Sequence, residues 1–206
     1  MAKQIPNNFQ TTASTLIASY DWQDIISGLG YEEFFLSFSS DSAGDNFGLI
    51  TSSLYSSVLE TTRAGAGTTE QNFDTSTFNA PRTVKGTAYL QVPVRGVDAS
   101  GIQIIAQIIV VDAAATETTI SSEIDDTVTF SAAGGTLANQ IILLKIPLTE
   151  TLVKIGEKIR VELQNVTTNA SVSGYAHDPG NRTSSLYDIT TVSKLALPFK
   201  LDPSAT

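Results

Sequence analysis

The sequence predicts an all-β protein, built as an antiparallel β-sandwich with a jelly-roll topology. Three observations support this fold class: about ten segments show strand patterns, turn-forming residues separate them about every 8 to 15 residues, and a single short segment has the pattern of a helix. Strands do not alternate with helices, as they would in a parallel sheet. An immunoglobulin-like sandwich is the alternative topology, because it also stacks two antiparallel sheets.

Two long strands joined by a turn are predicted between residues 84 and 111. In the first strand, apolar residues such as Val84 and Leu90 alternate with polar residues such as Lys85. This is the period of a strand with one buried face. Asp, Ser and Gly within residues 97–101 favour a chain reversal. The region therefore predicts an antiparallel hairpin.

The chain before the first strand predicts an extended arm and one short helix. Residues 1–18 are polar, which is typical of an arm that orders only against a partner or its own domain. A capping Asp and a terminating Gly bound a helix over about residues 21–27, and Trp22 would lie on its apolar side. We assign residues 1–18 to the arm and residues 19–206 to a single β-sandwich domain.

The remaining strands are predicted from shorter alternating or apolar segments. Turn residues bound each segment. In the last segment, apolar residues alternate with lysine and other residues. The segments are residues 31–39, 49–60, 72–78, 119–123, 127–131, 141–148, a stretch through Ile159 and Leu163, and residues 193–202.

Composition and charge disfavour several classes of function. Among 206 residues, 21 Asp and Glu outnumber 12 Lys and Arg, which gives a formal net charge of −9. Binding to nucleic acid or to an anionic membrane is disfavoured because both need clustered cations. The chain contains no cysteine, so packing or assembly must stabilise it without disulfides. The start lacks the apolar core of a signal peptide and no segment has the length of a membrane span, which predicts a soluble product made in a cytoplasm.

Two predicted strands, within residues 102–111 and 141–146, carry apolar residues on both faces. A second apolar face must be covered by another part of the chain, for which the segment around Trp22 is a candidate, or by a second subunit. Periodicity leaves both alternatives open. The residues assigned to this candidate interface of a homo-oligomer are Ile105, Ile109, Val111, Ile142, Leu144 and Trp22.

The most distinctive polar cluster contains the only histidine. Imidazole and carboxylate could hold a metal or a polar ligand, but no second histidine or cysteine stands at ligand spacing. Pro followed by Gly favours a turn in which Asp178 caps backbone amides and Arg182 returns to a carboxylate or a carbonyl. We therefore assign a structural turn to His177, Asp178, Pro179, Gly180, Asn181 and Arg182.

No catalytic, cofactor or metal motif is recognisable in the sequence. It contains no Gly-x-Ser-x-Gly elbow and no phosphate-binding loop, and a single histidine gives no convincing catalytic triad. The acidic loops at residues 41–46 and 123–126 do not follow the ligand spacing of a calcium loop. The sequence therefore predicts a protein that is not an enzyme, with no catalytic residues, no cofactor and no metal site.

Five segments of the chain form a recurrent pattern, namely SYDWQDIISGLGYEEFFLSF, FNAPRTVKGTAYLQVPV, LKIPLTETLVKIGEKIRVEL, HDPGNR and LPFKLD. In this order they resemble a group of structural proteins of tailed bacteriophages, known mostly from environmental sequences. The resemblance implies a virion component made in the host bacterial cytoplasm, such as a capsid decoration or auxiliary protein. It implies other virion proteins, including the major capsid protein, and further copies of the chain as partners.

Two shorter segments, VKGTAYLQV and IGEKIRVEL, are similar to strands of galactose-binding-like jelly rolls. This similarity implies an alternative function, a carbohydrate-binding module that attaches to glycans on a host surface. Exposed aromatic rings would stack on the sugar in such a module. The candidates for this role are Tyr89, Tyr175 and Tyr187.

Overall fold

The computed structural model describes residues 29–41, 44–53, 56–97, 102–128, 137–167 and 172–200. These residues form twelve β-strands, and none of them is helical, so no membrane-spanning helix occurs among them. The predicted all-β class is confirmed. The predicted arm at residues 1–18 and the predicted helix at residues 21–27, with Trp22, lie outside the described residues.

Most of the predicted segments overlap a strand, but several predictions differ. Residues 44–50 and 124–128 form strands where the sequence analysis placed acidic loops, and the predicted strand at residues 119–123 is a strand only at Thr119. The strands at residues 82–97 and 102–111 are not neighbours in the sheet, so the predicted hairpin between them is wrong. Residues 51–53 and 57–59 form bends instead of continuing the strand predicted over residues 49–60. No strand was predicted for β11, because its Ser and Gly have low strand propensity and only pairing with its neighbours defines it. The strands are β1 Leu29–Asp41, β2 Gly44–Ile50, β3 Glu60–Ala64, β4 Gly67–Asp74, β5 Arg82–Val97, β6 Ile102–Val111, β7 Glu117–Thr119, β8 Ile124–Val128, β9 Leu137–Val153, β10 Lys158–Thr167, β11 Val172–Ala176 and β12 Lys194–Lys200.

All twelve strands join one hydrogen-bonded sheet. Its order is β3-β11-β5-β12-β1-β2-β4-β10-β6-β7, with β9 beside β5 and β8 beside β6. The strand pairings are antiparallel except for one parallel pairing, between Gly48 of β2 and Asp74 of β4. The sheet is therefore mixed, although antiparallel pairing dominates it.

The sheet curves so that strands far apart in this order pack around one core. Asn165 Nδ2 in β10 donates to Ser173 Oγ in β11 at 3.0 Å, although five strands separate the two in the sheet. The backbone N–H of Thr149 in β9 donates to the carbonyl of Ile120, which follows β7, at 2.8 Å. The interior between these strands is filled by large buried side chains, among them Phe73, Phe199, Leu36, Leu90, Ile104, Ile108, Ile142 and Leu144.

Candidate functional site

Most of the residues assigned to an interface lie in the interior of the chain itself. Ile142 and Leu144 belong to the core, and Ile109 and Val111 are equally inaccessible on the other side of β6. Only Ile105 is half-buried. Four of the five assigned residues that the structure describes are therefore unavailable to a partner. For these four, the structure corrects the interface assignment in favour of burial within the chain.

Charged side chains of β10 lie beside the apolar second face of β6. Ile109 lies beside Arg160 in the strand register, and Val111 lies beside Lys158. Both cations pair with Asp74 on β4, and Arg160 Nε lies 2.7 Å from Asp74 Oδ1. Long cationic side chains cover apolar surface with their stems while their charged ends stay paired. On this face Ile109 and Val111 are buried within the chain itself, whereas Ile105 is half-buried.

Strand β9 presents different side chains from those that the sequence analysis assigned. Residues 141–144 are all apolar, so alternation cannot tell which face is inside. The pairing of Ile142 with Val92, a core residue of β5, places Ile142 in the core. Ile141 and Leu143 consequently point away from the core and are 40% and 47% exposed. We call these two residues the β9 strip.

The β9 strip lies on a strand that, among the described residues, pairs along its full length on one side only. Strand β5 pairs with β9 along one side. On the other side, the described part of the chain makes only a bridge between Ser121 and Leu148 and the adjoining bond from Thr149 to Ile120. An open edge presents unpaired backbone donors and acceptors to another strand. Within the described ranges, exposed apolar side chains therefore coincide with a strand edge that has no backbone pairing between residues 138 and 146, although β8 lies near β9.

Residues 177–182 form a turn that a buried carboxylate holds. Asp178 accepts hydrogen bonds from the backbone N–H of Arg182 at 2.7 Å and from Arg182 Nε at 3.1 Å. A second guanidinium nitrogen, Nη2, donates to the carbonyl of Ser56 at 2.9 Å. The turn thereby ties the segment after β11 to the loop that precedes β3.

His177 is enclosed by four aromatic rings, whose centroids lie 5.8 to 6.3 Å from its own: Phe38, Phe47, Phe73 and Tyr175. Burial lowers the pKa of His177 to about 4, so the imidazole is uncharged at neutral pH. Its Nε2 lies 3.0 Å from Thr61 Oγ1, but its Nδ1 bonds to no side chain within the described ranges. The hydroxyl–imidazole pair thus lacks the third group that orients the base of a catalytic triad. The described residues also hold no cluster of three or more potential metal ligands.

A buried ion pair lies beside this turn, on the face of β5 opposite the core. Arg95 donates from Nε and Nη2 to the two carboxylate oxygens of Glu60 on β3, at 2.6 and 2.7 Å. The hydroxyl of Tyr187 donates to Glu60 Oε2 at 2.9 Å. Strand β11 lies between β3 and β5, and Gly174 on it leaves room for the carboxylate, because a Cβ there would lie 2.7 Å from Glu60 Oε2. The hydrogen bond to Glu60 raises the pKa of Arg95, so the guanidinium is charged at neutral pH.

A groove opens between the loop that follows the turn and strand β9. Its volume is about 600 Å³. The loop supplies hydroxyl, amide, guanidinium and carboxylate groups, and β9 supplies one residue of the β9 strip. The lining residues that matter for its chemistry are Asn181, Arg182, Thr183, Ser184, Asp188 and Ile141.

Two of the three tyrosines assigned to sugar stacking cannot take that role. Tyr175 is fully buried in the core, and Tyr187 is buried against Glu60. Tyr89 is half-buried, and its ring centroid lies 6.2 Å from that of Tyr31. Burial of the ring faces removes Tyr175 and Tyr187 as stacking candidates, because a sugar needs an open ring face.

Comparison with known proteins identifies the fold and no family. No protein-family model matches the chain, and a search of curated proteins finds no matching sequence. A CocE/NonD family hydrolase from Staphylococcus aureus is similar in structure over 83% of this chain, with a TM-score of 0.57 and 13% sequence identity. An alpha-amino acid ester hydrolase is similar over 82% of this chain, with a TM-score of 0.58 and 10% identity. The chain spans 37% and 36% of these two structures, roughly a third of their length.

These similarities correct the expectation that the chain is not an enzyme. That expectation rested on the lack of a recognisable catalytic motif, yet the described fold is one that solved hydrolases contain. The lack of a motif is therefore no argument against enzymatic activity. At 10% to 13% identity the likeness concerns the fold alone, so it assigns no activity and no catalytic residue to this chain.

Proposed function

We propose that the protein is a jelly-roll structural component of a tailed-phage virion, and that it works by association with copies of itself and with other virion proteins. The sequence resemblance to phage structural proteins supports the virion role. The curved sheet with a single core supports a two-layered jelly-roll sandwich. In this proposal the chain is a capsid decoration or auxiliary protein, and the major capsid protein is its larger partner.

The observation that carries the proposal is the β9 strip on an open sheet edge. Exposed apolar side chains beside unpaired backbone groups favour pairing with another strand. A second copy of β9 can pair with the first about a two-fold axis. With the axis at Ile142, Ile141 of one copy lies beside Leu143 of the other, and Lys145 lies beside Asn139. No like charges then oppose each other across the strands.

Burial of the β9 strip alone does not provide enough free energy to hold two copies together. Full burial of one Ile or Leu side chain contributes about 1.5–3 kcal/mol, and roughly half of each strip side chain is already covered, so each adds about 1 kcal/mol. Four such side chains across a two-fold axis contribute about 4 kcal/mol, whereas association costs about 4–15 kcal/mol. Backbone hydrogen bonds along the edge, each worth about 1 kcal/mol, must therefore complete the interface.

The test is the solution mass of the protein by light scattering at several concentrations. We expect a stable oligomer for the wild type and a monomer for Leu143→Lys, because the lysine would place a charge in an apolar contact. The matched control is Leu152→Lys, on the same strand and 54% exposed but outside the β9 strip, and it should leave the oligomer intact. Circular dichroism shows whether each variant is folded.

The virion role has its own readout. The protein is co-expressed with the major capsid protein of the same genome, and the assembled particles are separated on a density gradient. Co-migration with particles, lost in Leu143→Lys, is the expected result. A wild type that is monomeric at every concentration and stays at the top of the gradient would contradict the proposal.

A further inference from the structure

We infer that the groove beside Arg182 is a binding site for a neutral saccharide. This inference goes beyond association through the β9 strip, because the polar loop at residues 181–190 supplies most of the groove. Ile141 is the single residue that the two surfaces share. The volume of about 600 Å³ lies within the range of small-molecule sites, about 300–1,000 Å³.

The polar wall of the groove is held in place before any ligand arrives. Asn181 has a positive φ of 48°, a left-handed conformation that Asn tolerates better than most residues. Its Oδ1 accepts hydrogen bonds from Thr190 Oγ1 at 2.9 Å and from the backbone N–H of Thr191 at 3.0 Å. These bonds close the loop on itself. A ligand therefore meets a wall that loses little conformational freedom on binding.

Arg182 is the donor group that this wall positions. Its Nε donates to Asp178 and its Nη2 donates to the carbonyl of Ser56. The side chain is nevertheless 49% exposed, because only one side of the guanidinium faces these partners. The remaining nitrogen, Nη1, has the fixed direction that a planar guanidinium imposes once the other two are bound.

The charges around the groove decide the class of ligand. Asp178 balances the charge of Arg182, and the exposed carboxylate of Asp188 adds a negative charge. A phosphate or sulfate would be repelled by Asp188, and the guanidinium disfavours a simple cation. A saccharide hydroxyl can both accept from a guanidinium and donate to a carboxylate. Thr183 and Ser184 supply further hydroxyl groups.

The test is an array of neutral mono- to tetrasaccharides, printed beside sialylated and sulfated glycans, with titration calorimetry on the strongest neutral ligand. We expect the wild type to bind a neutral glycan and Asp188→Asn to bind it at least about tenfold more weakly, the loss of one charge-assisted hydrogen bond. Asp126→Asn on β8 is the matched control, since it removes an equally exposed carboxylate elsewhere and should not change the affinity. Thermal melts show that both variants fold.

The glycan array has one supporting result and three contradicting ones. Binding of a neutral glycan that weakens only in Asp188→Asn supports the site. Three results would overturn it: binding to no glycan, binding restricted to acidic glycans, or neutral-glycan binding that Asp188→Asn leaves unchanged. Light scattering on the same samples reports association through β9 separately, so failure of the saccharide site is distinguishable from failure of the proposed assembly role.

Discussion

Replacement of Glu60 with Ala should destabilise the protein more than any exposed charge deletion. Arg95 would keep its charge in a position where its side chain is only 7% exposed, and it would lose both of its bonds to the carboxylate. Breaking a buried pair by removing one partner costs about 3–5 kcal/mol. The hydroxyl of Tyr187 also loses its acceptor, which adds about 1 kcal/mol. Native domains have only about 5–15 kcal/mol of stability in total.

The assay is urea unfolding followed by far-ultraviolet circular dichroism. With a denaturant slope of about 2 kcal/mol per molar urea for a chain of this size, the unfolding midpoint of Glu60→Ala should fall by about 2 M. The control is Glu150→Ala, whose carboxylate lies 3.0 Å from Lys85 in a pair whose side chains are 47% and 46% exposed. An exposed pair of this kind contributes about 0–1 kcal/mol, so its midpoint should barely move.

A double variant separates the stability lost through an unpaired buried charge from the stability lost through poorer packing. Glu60→Leu with Arg95→Met removes both charges and keeps most of the volume, so it should be far more stable than Glu60→Ala. The reasoning is refuted if Glu60→Ala costs less than about 1 kcal/mol, which is the value of an exposed pair. It is also refuted if the double variant is as unstable as Glu60→Ala, because the loss would then come from packing alone.

Two further predictions concern the same region. Gly174→Ala should cost about 1–3 kcal/mol, because its Cβ would lie 2.7 Å from Glu60 Oε2, which two hydrogen bonds hold in place. Gly48→Ala is its control, since its nearest neighbour would be at an ordinary 3.5 Å, and melting temperatures compare the two. His177 has a folded pKa lowered to about 4, so the unfolded chain takes up a proton near pH 6.5 while the folded chain does not. Stability should therefore fall by about 2 kcal/mol between pH 7 and pH 5 in the wild type and by less in His177→Gln, and a wild type equally stable at both pH values in urea unfolding would contradict the shift.

The sequence predicts the class of the fold because strand periodicity and turn residues are local signals. Strands β5 and β6 form within the predicted residues for this reason. The predicted antiparallel hairpin between them is wrong, because β5 pairs with β9, β11 and β12 while β6 pairs with β7, β8 and β10. The sequence could not predict which side chains of β9 point into the core, because residues 141–144 are all apolar. Only the pairing of Ile142 with Val92 decides which face is inside. The parallel contact between Gly48 and Asp74 is equally non-local, since no pattern within either strand specifies its neighbour.

The candidate site depends even more on contacts between distant segments. The turn at residues 177–182 carries a local signal, the Pro–Gly pair flanked by Asp and Asn, and this signal predicts the turn and the capping role of Asp178. It does not specify which carboxylate or carbonyl Arg182 contacts. The ion pair carries no such local signal, because Glu60 and Arg95 lie 35 residues apart on strands that β11 separates. The residue that makes the pair possible is Gly174, because a side chain there would collide with the Glu60 carboxylate.

A buried ion pair is weak evidence for stability, because two well-packed apolar residues of similar volume often serve as well or better. Stability alone therefore does not account for Glu60 and Arg95, and Tyr187 indicates a second role, since its hydrogen bond to Glu60 fastens the loop that lines the groove. Glu60 and Arg95 are then positioning residues for the groove. The double variant Glu60→Leu with Arg95→Met tests this role: if it stays folded and loses affinity for the saccharide that the wild type binds, the pair positions the loop. If it binds the saccharide as the wild type does, the loop is held by Asp178 and Asn181 alone, and the ion pair has no part in the site.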